Sequence, residues 1–270
     1  ASVSHDGEAI YGAQIVAALE SMAFIEHDLK KLVEQAKKFI PKTSVIFKLI
    51  SDIQEWSSGN LGWEQAREKI VENYGYDKYL GNCHMVPNHA LIIMALLFGD
   101  DDFQKTMMIV NTSGWDTDCN SGNVGCILGI KNGIDGLKKG PDYLSPINDI
   151  LYCPSASGGE TLTDALSETY KIINTTRKIN GLDEILPKNG ARFHFDIKDS
   201  TQGWRTVNGD QFCETKISNI EYKSNIGERA LKISYKNLLV DQIAEVYVET
   251  FFPEVILELE GKKREDFFHY

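Results

Sequence analysis

The hydrophobic positions of the amino-terminal part of the chain recur with the period of an α-helix. Apolar side chains return every three or four residues, which places them on one face of a helix. One such stripe consists of Leu29, Leu32, Val33 and Ala36. With cap residues, glycine or proline as boundaries, the pattern predicts helices over residues 4–24 (capped by Ser4 or Asp6), 26–39, 43–56, 63–74, 88–98, 101–111 and 161–179. The segment 88–98 is apolar on nearly all sides, which predicts a central buried helix.

The period changes in the carboxyl-terminal part of the chain. Apolar and polar residues alternate there, which is typical of half-buried strands, at residues 193–197, 231–235, 244–248 and 255–259. Clusters of turn residues separate or precede these strands at residues 153–159, 208–210 and 225–227. We therefore expect a multi-domain chain. An all-α helical domain over residues 1–180 is followed by a small all-β, sandwich-like domain over residues 190–270.

Composition narrows the class of partner. The chain has 270 residues, 42% of them hydrophobic, which is enough for one large or two modest cores, and we favour two. Its net charge of -11 argues against a nucleic-acid or membrane-surface partner, because lysine and arginine are not in excess. The longest apolar run, residues 90–98, is far too short to cross a bilayer. Five scattered cysteines without the spacing of a zinc site favour a reduced, cytoplasmic setting.

One polar turn stands out as candidate chemistry. Residues 114–129 read Gly-Trp-Asp-Thr-Asp-Cys-Asn-Ser-Gly-Asn-Val-Gly-Cys-Ile-Leu-Gly, a turn that leads into a helix. Asp116 and Asp118 lie two apart, so on a turn both carboxylates can point the same way and share a small hard cation. Asp118 or Asn120 is also a suitable helix cap. The helix carries three glycines at spacings that place them on one face, where another backbone is expected to approach closely: Gly122, Gly125 and Gly129.

These acidic residues have other interpretations. A lone Asp-x-Asp is most often a surface turn or a helix cap. Asp116, Asp118 and Asn120 also match the first, third and fifth positions of a calcium-binding EF-hand loop. The sixth position is Ser121 instead of glycine and the twelfth is Ile127 instead of glutamate, which excludes that loop. The acidic run at residues 100–102 is interpreted as a solvated cap between two helices.

Three stretches resemble one known family. Asp-Thr-Asp at residues 116–118, followed by a helix of small residues, resembles the carboxyl-terminal metal motif of the ADP-ribosylglycohydrolase family. Ser-His-Asp-Gly-Glu-Ala-Ile-Tyr-Gly-Ala at 4–13 and Met-Val-Pro-Asn-His-Ala-Leu at 85–91 agree with it, in the family's order. The resemblance covers roughly residues 1–180. It implies a helical fold and hydrolysis of an ADP-ribosyl or related ribosyl linkage, with two Mg²⁺ ions that hold the ribose hydroxyls and a water.

The resemblance also implies roles for the acidic turn. Asp116 and Asp118 are expected to be metal ligands. Position 119 departs from the family, in which a threonine hydroxyl often joins the metal shell, because Cys119 presents a soft thiol that suits Mg²⁺ poorly. Water or the side chain of Asn120 is expected to fill that coordination position. Asn120 is also a candidate for substrate binding.

Three more residues are candidates for contact with substrate. His5 lies in the segment that approaches substrate in the family, although it is equally suited to a helix start beside Asp6. Asn88 is expected to face the site, and Trp115 to stack on a base or a ribose or to be buried as a structural residue. No catalytic residue is assigned. Glu8 is either a general base or a first-turn residue that serves the helix dipole.

The resemblance leaves alternatives open. In the family a preceding half carries a Thr-Asp-Asp metal motif, and this sequence contains no such stretch, so the chain is expected to be a fragment or to be completed by another chain. A nucleoside or other N-glycoside hydrolase with the same metal cage is one alternative. A non-catalytic module that binds ADP-ribose or a sugar is another. Contact with carbohydrate through the β domain would use Trp204, Tyr222 and Tyr235.

Overall fold

The structure is a computed structural model, and it describes residues 2–147, 149–153, 161–209, 211–252 and 254–268. The chain divides into two compact units, Ala1–Pro141 and Asp142–Tyr270. Most of the turn predicted at 153–159, and residue 210 of the turn predicted at 208–210, lie outside the described residues.

The first unit is helical, as the apolar period predicts. Its α-helices are α1 (Gly7–Met22), α2 (Leu29–Ala36), α3 (Val45–Ser58), α4 (Trp63–Tyr74), α5 (Met85–Phe98), α6 (Phe103–Thr112) and α7 (Thr117–Leu137). The side chains of Asp28, Ser44 and Asp102 accept hydrogen bonds from backbone N–H groups in the first turns of α2, α3 and α6. These bonds satisfy donors that a helix start leaves without partners. The interpretation of the acidic run 100–102 as a helix cap is therefore confirmed.

Helix α5 forms the centre of the first unit. Every residue from Val86 to Leu97 is buried, and the helix packs against α1, α2, α3, α4, α6 and α7. Burial of each large apolar side chain, such as Leu91 or Ile93, contributes about 1.5–3 kcal/mol relative to exposure. The prediction of a central buried helix is confirmed, and its starting residue lies three positions before the predicted one.

The glycines of α7 do not mark a close helix contact, so that expectation was wrong. A Cβ added at Gly122 or Gly129 would meet no atom within 4 Å, and one at Gly125 would lie 3.8 Å from the Met107 sulfur. The buried residues of α7 include Val124, Ile127 and Leu128. Branched apolar side chains therefore make the packing face, because they remove more apolar area from water than glycine does.

The second unit contains short strands and one long helix. Its elements are β1 (Leu151–Tyr152), β2 (Leu162–Thr163), α8 (Ala165–Ile179), β3 (Arg205–Thr206), β4 (Glu214–Glu221), β5 (Arg229–Lys236), β6 (Val246–Tyr247), α9 (Glu254–Leu257) and α10 (Gly261–Phe268). Among the described residues the strands pair as three two-stranded antiparallel sheets: β1 with β2, β3 with β6 and β4 with β5. Small antiparallel sheets are thus present, and a β-sandwich is not confirmed.

The β4–β5 hairpin confirms part of the strand prediction. β5 includes the predicted strand 231–235, and the predicted turn 225–227 connects the two strands. The register pairs Ile217 with Ile233 and Thr215 with Tyr235. β6 covers only the centre of the segment predicted at 244–248. The partner strand β4, which has the same length as β5, was not predicted.

Two predicted strands were wrong. In segment 193–197 the backbone N–H groups of His194 and Phe195 both donate to Oε1 of Gln202 at 2.8 Å. Phe195 also has a φ of 54°, which interrupts an extended strand. In segment 255–259 the chain instead forms helix α9, with Glu258 N–H bonded to the Glu254 carbonyl at 3.0 Å. In both segments local hydrogen bonds take the backbone groups that a strand partner would need.

The division between the two compact units falls after Pro141, and the linker expected at residues 180–190 lies within the second unit. Helix α8, expected to close the helical domain, belongs to the second unit. Asp149 gives a physical reason, since its carboxylate accepts hydrogen bonds from the Ala165 N–H at 3.0 Å and from the Ser200 hydroxyl. It also accepts one from the Gln202 N–H at 3.2 Å. Asp149 therefore connects the start of α8 with Ser200 and Gln202, which belong to the second unit.

Among the described residues, no helix is both long and apolar enough to span a membrane. All five cysteines are free thiols. The cytoplasmic setting expected from them stays a prediction.

Candidate metal centre

The acidic turn is shaped by two successive residues in the left-handed region. Gly114 has a φ of 78° and Trp115 a φ of 61°. Glycine adopts this conformation freely, whereas for a bulky side chain it stores about 1–3 kcal/mol of strain. Asp116 follows at φ -88° and ψ 68°, and the Thr117 N–H bonds to the Trp115 carbonyl at 3.1 Å. Asp116 is therefore the centre of an inverse γ-turn and the N-cap residue of α7.

Three side chains of this turn form a donor cluster. Asp116, Asp118 and Cys119 each offer one ligand atom, and these atoms lie within 4.8 Å of one another. Asp118 and Cys119 are exposed, and Asp116 is half-buried. A hydrogen bond with Asp116, helped by the backbone N–H groups of the first turn of α7, lowers the pKa of Asp118. The two carboxyl groups predicted from the sequence thus lie together.

A second thiol reaches the same carboxyl group. Cys83 lies in the segment between α4 and α5, is exposed, and has a φ of 56°. Its thiol hydrogen-bonds Asp116, and this contact raises the pKa of Cys83. The thiol of Cys119 also hydrogen-bonds Asp116, which raises the pKa of Cys119 in the same way. Sequence analysis missed Cys83, because no spacing signal connects it with a turn so much later in the chain.

Asn88 holds the acidic turn from the first turns of α5. Its Oδ1 accepts hydrogen bonds from the Asp116 N–H at 3.3 Å and from Nδ2 of Asn120 at 3.1 Å. Its Nδ2 donates to the Tyr76 hydroxyl at 2.6 Å and to the His84 carbonyl at 3.0 Å. Both asparagines are buried. They position the turn in this structure, and their contact with substrate stays a prediction.

Two side chains contact the Trp115 ring, one from α4 and one from the segment that follows α4. The Arg67 guanidinium lies over its ring, with Cζ 4.0 Å from the centroid, and Nε of Arg67 donates to the Ser113 carbonyl at 2.7 Å. Tyr76 meets the Trp115 ring edge to face at 5.1 Å. Trp115 is half-buried. One face of the indole is therefore covered by Arg67, and stacking of Trp115 on a substrate stays a prediction.

The two amino-terminal candidates, Glu8 and His5, form hydrogen bonds with groups outside the acidic turn. Both carboxylate oxygens of Glu8 accept hydrogen bonds from the start of α3, from Val45 N–H at 3.0 Å and from Ile46 N–H at 2.9 Å. Glu8 therefore caps α3, across a long sequence separation. His5 is exposed, and its Nδ1 is 2.7 Å from the Ser4 hydroxyl. A role for His5 in substrate binding stays a prediction.

The donor cluster fits one divalent cation. Mg²⁺ binds about six oxygen atoms and commonly takes only one or two of them from carboxylates. Asp116 and Asp118 can supply these two, and the exposure of Asp118 leaves room for water or substrate oxygens. Across the described ranges, this is the one group of three or more His, Cys, Asp or Glu donors close enough to share an ion. Ligands for a second ion are not part of the group.

A cavity of about 560 Å³ lies elsewhere in the first unit. It is lined by residues that include Leu96 and Phe98 of α5 and Trp63 of α4. Phe98 is ten residues from Asn88 on the same helix, which corresponds to roughly 15 Å. This cavity is therefore separate from the acidic turn.

Comparison with known proteins identifies one family. The model of the ADP-ribosylglycohydrolase family matches residues 1–175. The matched range includes the acidic turn and the stretches at 4–13 and 85–91. No match was found among curated proteins or among solved structures.

Proposed function

Because the chain belongs to the ADP-ribosylglycohydrolase family, we propose that it uses Asp116 and Asp118 in the metal-dependent hydrolysis of an ADP-ribosyl or related ribosyl glycosidic linkage. The family acts on ADP-ribosylated substrates and is metal-dependent. The observation that carries the proposal is the convergence of Asp116, Asp118 and Cys119 within 4.8 Å on an exposed turn. The proposed cofactor is Mg²⁺, with two ions, the second of which takes its ligands from outside this group.

Cleavage of a ribosyl bond passes through an oxocarbenium-like transition state, so the sugar must be oriented and a water delivered. A divalent cation at such a site supplies positive charge that orients the ribose hydroxyls and lowers the pKa of a bound water. Asp116 and Asp118 would hold that cation. Asn88 keeps the Asp116 backbone in place through its hydrogen bond of 3.3 Å. Arg67 holds Trp115 at the edge of the turn.

The general base is not assigned to a residue of this chain. Both carboxylate oxygens of Glu8 accept hydrogen bonds from the amino-terminal N–H groups of α3, so Glu8 is not available as the base. This observation, together with the thiol at Cys119, favours a second candidate function. In that alternative the domain binds ADP-ribose without cleaving it. A nucleoside or other N-glycoside hydrolase with the same metal cage is the alternative within hydrolases.

The proposed contact between carbohydrate and the second unit has weaker support. Tyr235 pairs with Thr215 at one end of the β4–β5 hairpin, whereas Tyr222 follows the other end of β4. Seven residues of extended chain separate the two ends by about 24 Å, and side chains at odd spacing point to opposite faces. Tyr222 and Tyr235 therefore do not form a common platform. Carbohydrate binding stays a prediction.

The first test is calorimetric titration of the chain with Mg²⁺ and then with ADP-ribose. The proposal expects saturable Mg²⁺ binding, ADP-ribose binding that depends on Mg²⁺, and release of ADP-ribose from a modified peptide. The double variant Asp116→Asn/Asp118→Asn should lose all three. The matched control is Glu55→Gln/Glu72→Gln, which removes the same charge from exposed positions on α3 and α4.

Each outcome has a distinct meaning. Binding of ADP-ribose without turnover would support the non-catalytic alternative. Release of a free base from nucleosides, without release of ADP-ribose, would support the nucleoside hydrolase. A folded chain that binds neither metal nor ADP-ribose would contradict the proposal.

A further inference from the structure

Arg67 carries a positive charge beside the acidic turn, and no carboxylate neutralises it. Among the described residues, no Asp or Glu forms an ion pair with Arg67, which is half-buried. Burial lowers the pKa of its guanidinium, although an arginine keeps its charge in spite of such a shift. A half-buried charge without a charged partner is costly. A bound anion would therefore be stabilised at this place.

The guanidinium of Arg67 is held in one orientation. Its Nε donates to the Ser113 carbonyl at 2.7 Å, and its Cζ lies 4.0 Å from the centroid of the Trp115 ring. A guanidinium has five N–H donors in one plane, and contact with an aromatic ring covers a face of that plane without using any of them. Within the described part of the chain, the N–H groups of Nη1 and Nη2 have no acceptor. Such paired donors match two oxygens of a phosphate.

These donors lie close to the candidate metal ligands. A Cβ added at Gly114 would lie 3.9 Å from Nη2 of Arg67. Gly114 precedes Asp116 by two residues, which span at most about 7 Å. In an ADP-ribosyl group the diphosphate is attached to C5 of the ribose whose C1 bond is cleaved. A ribose held by a cation at Asp116 and Asp118 would therefore have its phosphate groups within reach of Arg67.

The charge of the whole chain makes a local cation important for an anionic ligand. The net charge of -11 repels a diphosphate. In the proposed function the carboxylates of Asp116 and Asp118 bind a metal ion, so positive charge from the ion and from Arg67 would oppose this repulsion. A nucleoside carries an uncharged hydroxyl group at C5 and would gain less from Arg67.

We propose that Arg67 binds the phosphate groups next to the ribose and so selects a phosphate-bearing ribosyl substrate over an uncharged nucleoside. The inference rests on the proposed function, because it requires a ribose at the acidic turn. It adds the substrate class, which the proposed function leaves open. In this role Arg67 is a binding residue and takes no part in the chemical step.

The ratio of two affinities isolates the phosphate contact. Binding of ribose 5-phosphate and of ribose to the full chain is measured by ligand-observed NMR in the presence of Mg²⁺. The original chain should bind ribose 5-phosphate at least about tenfold more tightly, because hydrogen bonds between charged groups are the stronger ones. Arg67→Gln should bring this ratio close to one. Arg67→Lys keeps the charge without the paired donors and should give an intermediate ratio.

Lys69→Gln is the matched control. It removes the same charge from the same helix, where Lys69 lies 5.6 Å from the centroid of the Trp56 ring. The ratio of affinities should be unchanged in this variant. Urea unfolding verifies that each variant is folded, and Arg67→Lys takes the place of Arg67→Gln if the glutamine variant is not.

Metal affinity separates phosphate binding from support of the turn. If Arg67 only held Trp115 in place, Arg67→Gln would weaken the binding of Mg²⁺ and of ribose as much as that of ribose 5-phosphate. The proposal expects the affinities for Mg²⁺ and for ribose to stay within a few-fold of those of the original chain. Added NaCl should weaken ribose 5-phosphate binding more in the original chain than in Arg67→Gln, because salt screens the lost charge interaction.

The failure of this inference is distinguishable from failure of the proposed function. An unchanged ratio in Arg67→Gln, or an equal loss of affinity for all three ligands, would overturn the phosphate contact and leave the proposed hydrolase intact. Tighter binding of adenosine than of ADP-ribose by the original chain would also overturn it and would favour the nucleoside hydrolase. A folded chain that binds none of the ribosyl ligands would overturn both this inference and the proposed function.

Discussion

The Oδ1 atom of Asn88 accepts a hydrogen bond from Nδ2 of Asn120 at 3.1 Å, inside the protein. The same oxygen accepts the Asp116 N–H, so one side chain of the central helix α5 holds both the acidic turn and the first turn of α7. Asn88 also donates to the Tyr76 hydroxyl. The position of the acidic turn therefore depends on a buried amide that bonds the Asp116 backbone and the Asn120 side chain.

Replacement of Asn88 by alanine should lower both stability and metal affinity. The Asn88→Ala change leaves the buried Asn120 amide without this acceptor, which costs about 1–3 kcal/mol for each unsatisfied group. Metal affinity should fall about 10–100-fold, as for other groups that support metal ligands. Urea unfolding and metal titration measure the two effects. Asn73→Ala, an exposed change on α4, is the control; an equally small effect of both variants would contradict the supporting role of Asn88.

Replacement of Arg67 by lysine should destabilise the turn although it keeps the charge. Arg67 donates from Nε to the Ser113 carbonyl while its planar guanidinium lies over the Trp115 ring. Lysine ends in a single ammonium group and cannot make both contacts at once. We expect a loss of about 1–2 kcal/mol in the free energy of unfolding. Thermal and urea unfolding provide the measurement. Lys69→Met is the comparison, because Lys69 is 5.6 Å from the Trp56 ring in a weaker contact of the same kind, and it should cost less than Arg67→Lys.

Glu8 should act in stability and not as a catalytic base. Its two oxygens cap the start of α3, so Glu8→Ala should lower the free energy of unfolding by about 1–2 kcal/mol. Glu8→Gln retains one acceptor oxygen and should have a smaller effect. Turnover per folded molecule should stay within a few-fold in both variants. A loss of about a hundredfold or more in a Glu8→Gln protein of normal stability would identify Glu8 as a general base instead.

His89 should make the protein sensitive to acid. The ring is 0% exposed, and neither ring nitrogen has a hydrogen-bond partner among the described residues. Burial lowers the pKa of His89 from 6.5 to about 4. The unfolded chain therefore binds this proton more readily, so the stabilising contribution is complete above about pH 6.5 and is lost as the pH falls towards 4. The difference of 2.5 in pKa corresponds to about 3 kcal/mol at full effect.

The variant His89→Leu isolates that contribution. At pH 7.5 it should be as stable as the original chain or more so, because it removes a buried polar ring of similar size. Between pH 6.5 and pH 4 it should lose less stability than the original chain, by up to about 3 kcal/mol. Urea unfolding across this range measures the difference. His27→Gln, at an exposed position, should follow the original chain; parallel curves for all three proteins would contradict the role of His89.

Alternation of apolar and polar residues predicted some strands correctly and others wrongly. Alternation of apolar and polar residues identified β5, where a hairpin turn brings the partner strand from nearby in the chain. The same alternation failed at 193–197, where the Gln202 side chain binds the backbone N–H groups. A strand needs a partner to satisfy its backbone, and alternation within one segment does not show whether that partner arrives.

The sequence by itself determined the helices of the first unit, because a helix satisfies its backbone within one segment and its caps lie at its own ends. It also determined that Asp116 and Asp118 lie together, since they are two residues apart on one turn. Only the tertiary structure decided that the Cys83 thiol hydrogen-bonds Asp116, that Asn88 holds the Asp116 backbone and that Glu8 caps α3. These contacts connect residues far apart in the chain, and only the packing of the helices around α5 brings such residues within hydrogen-bonding distance.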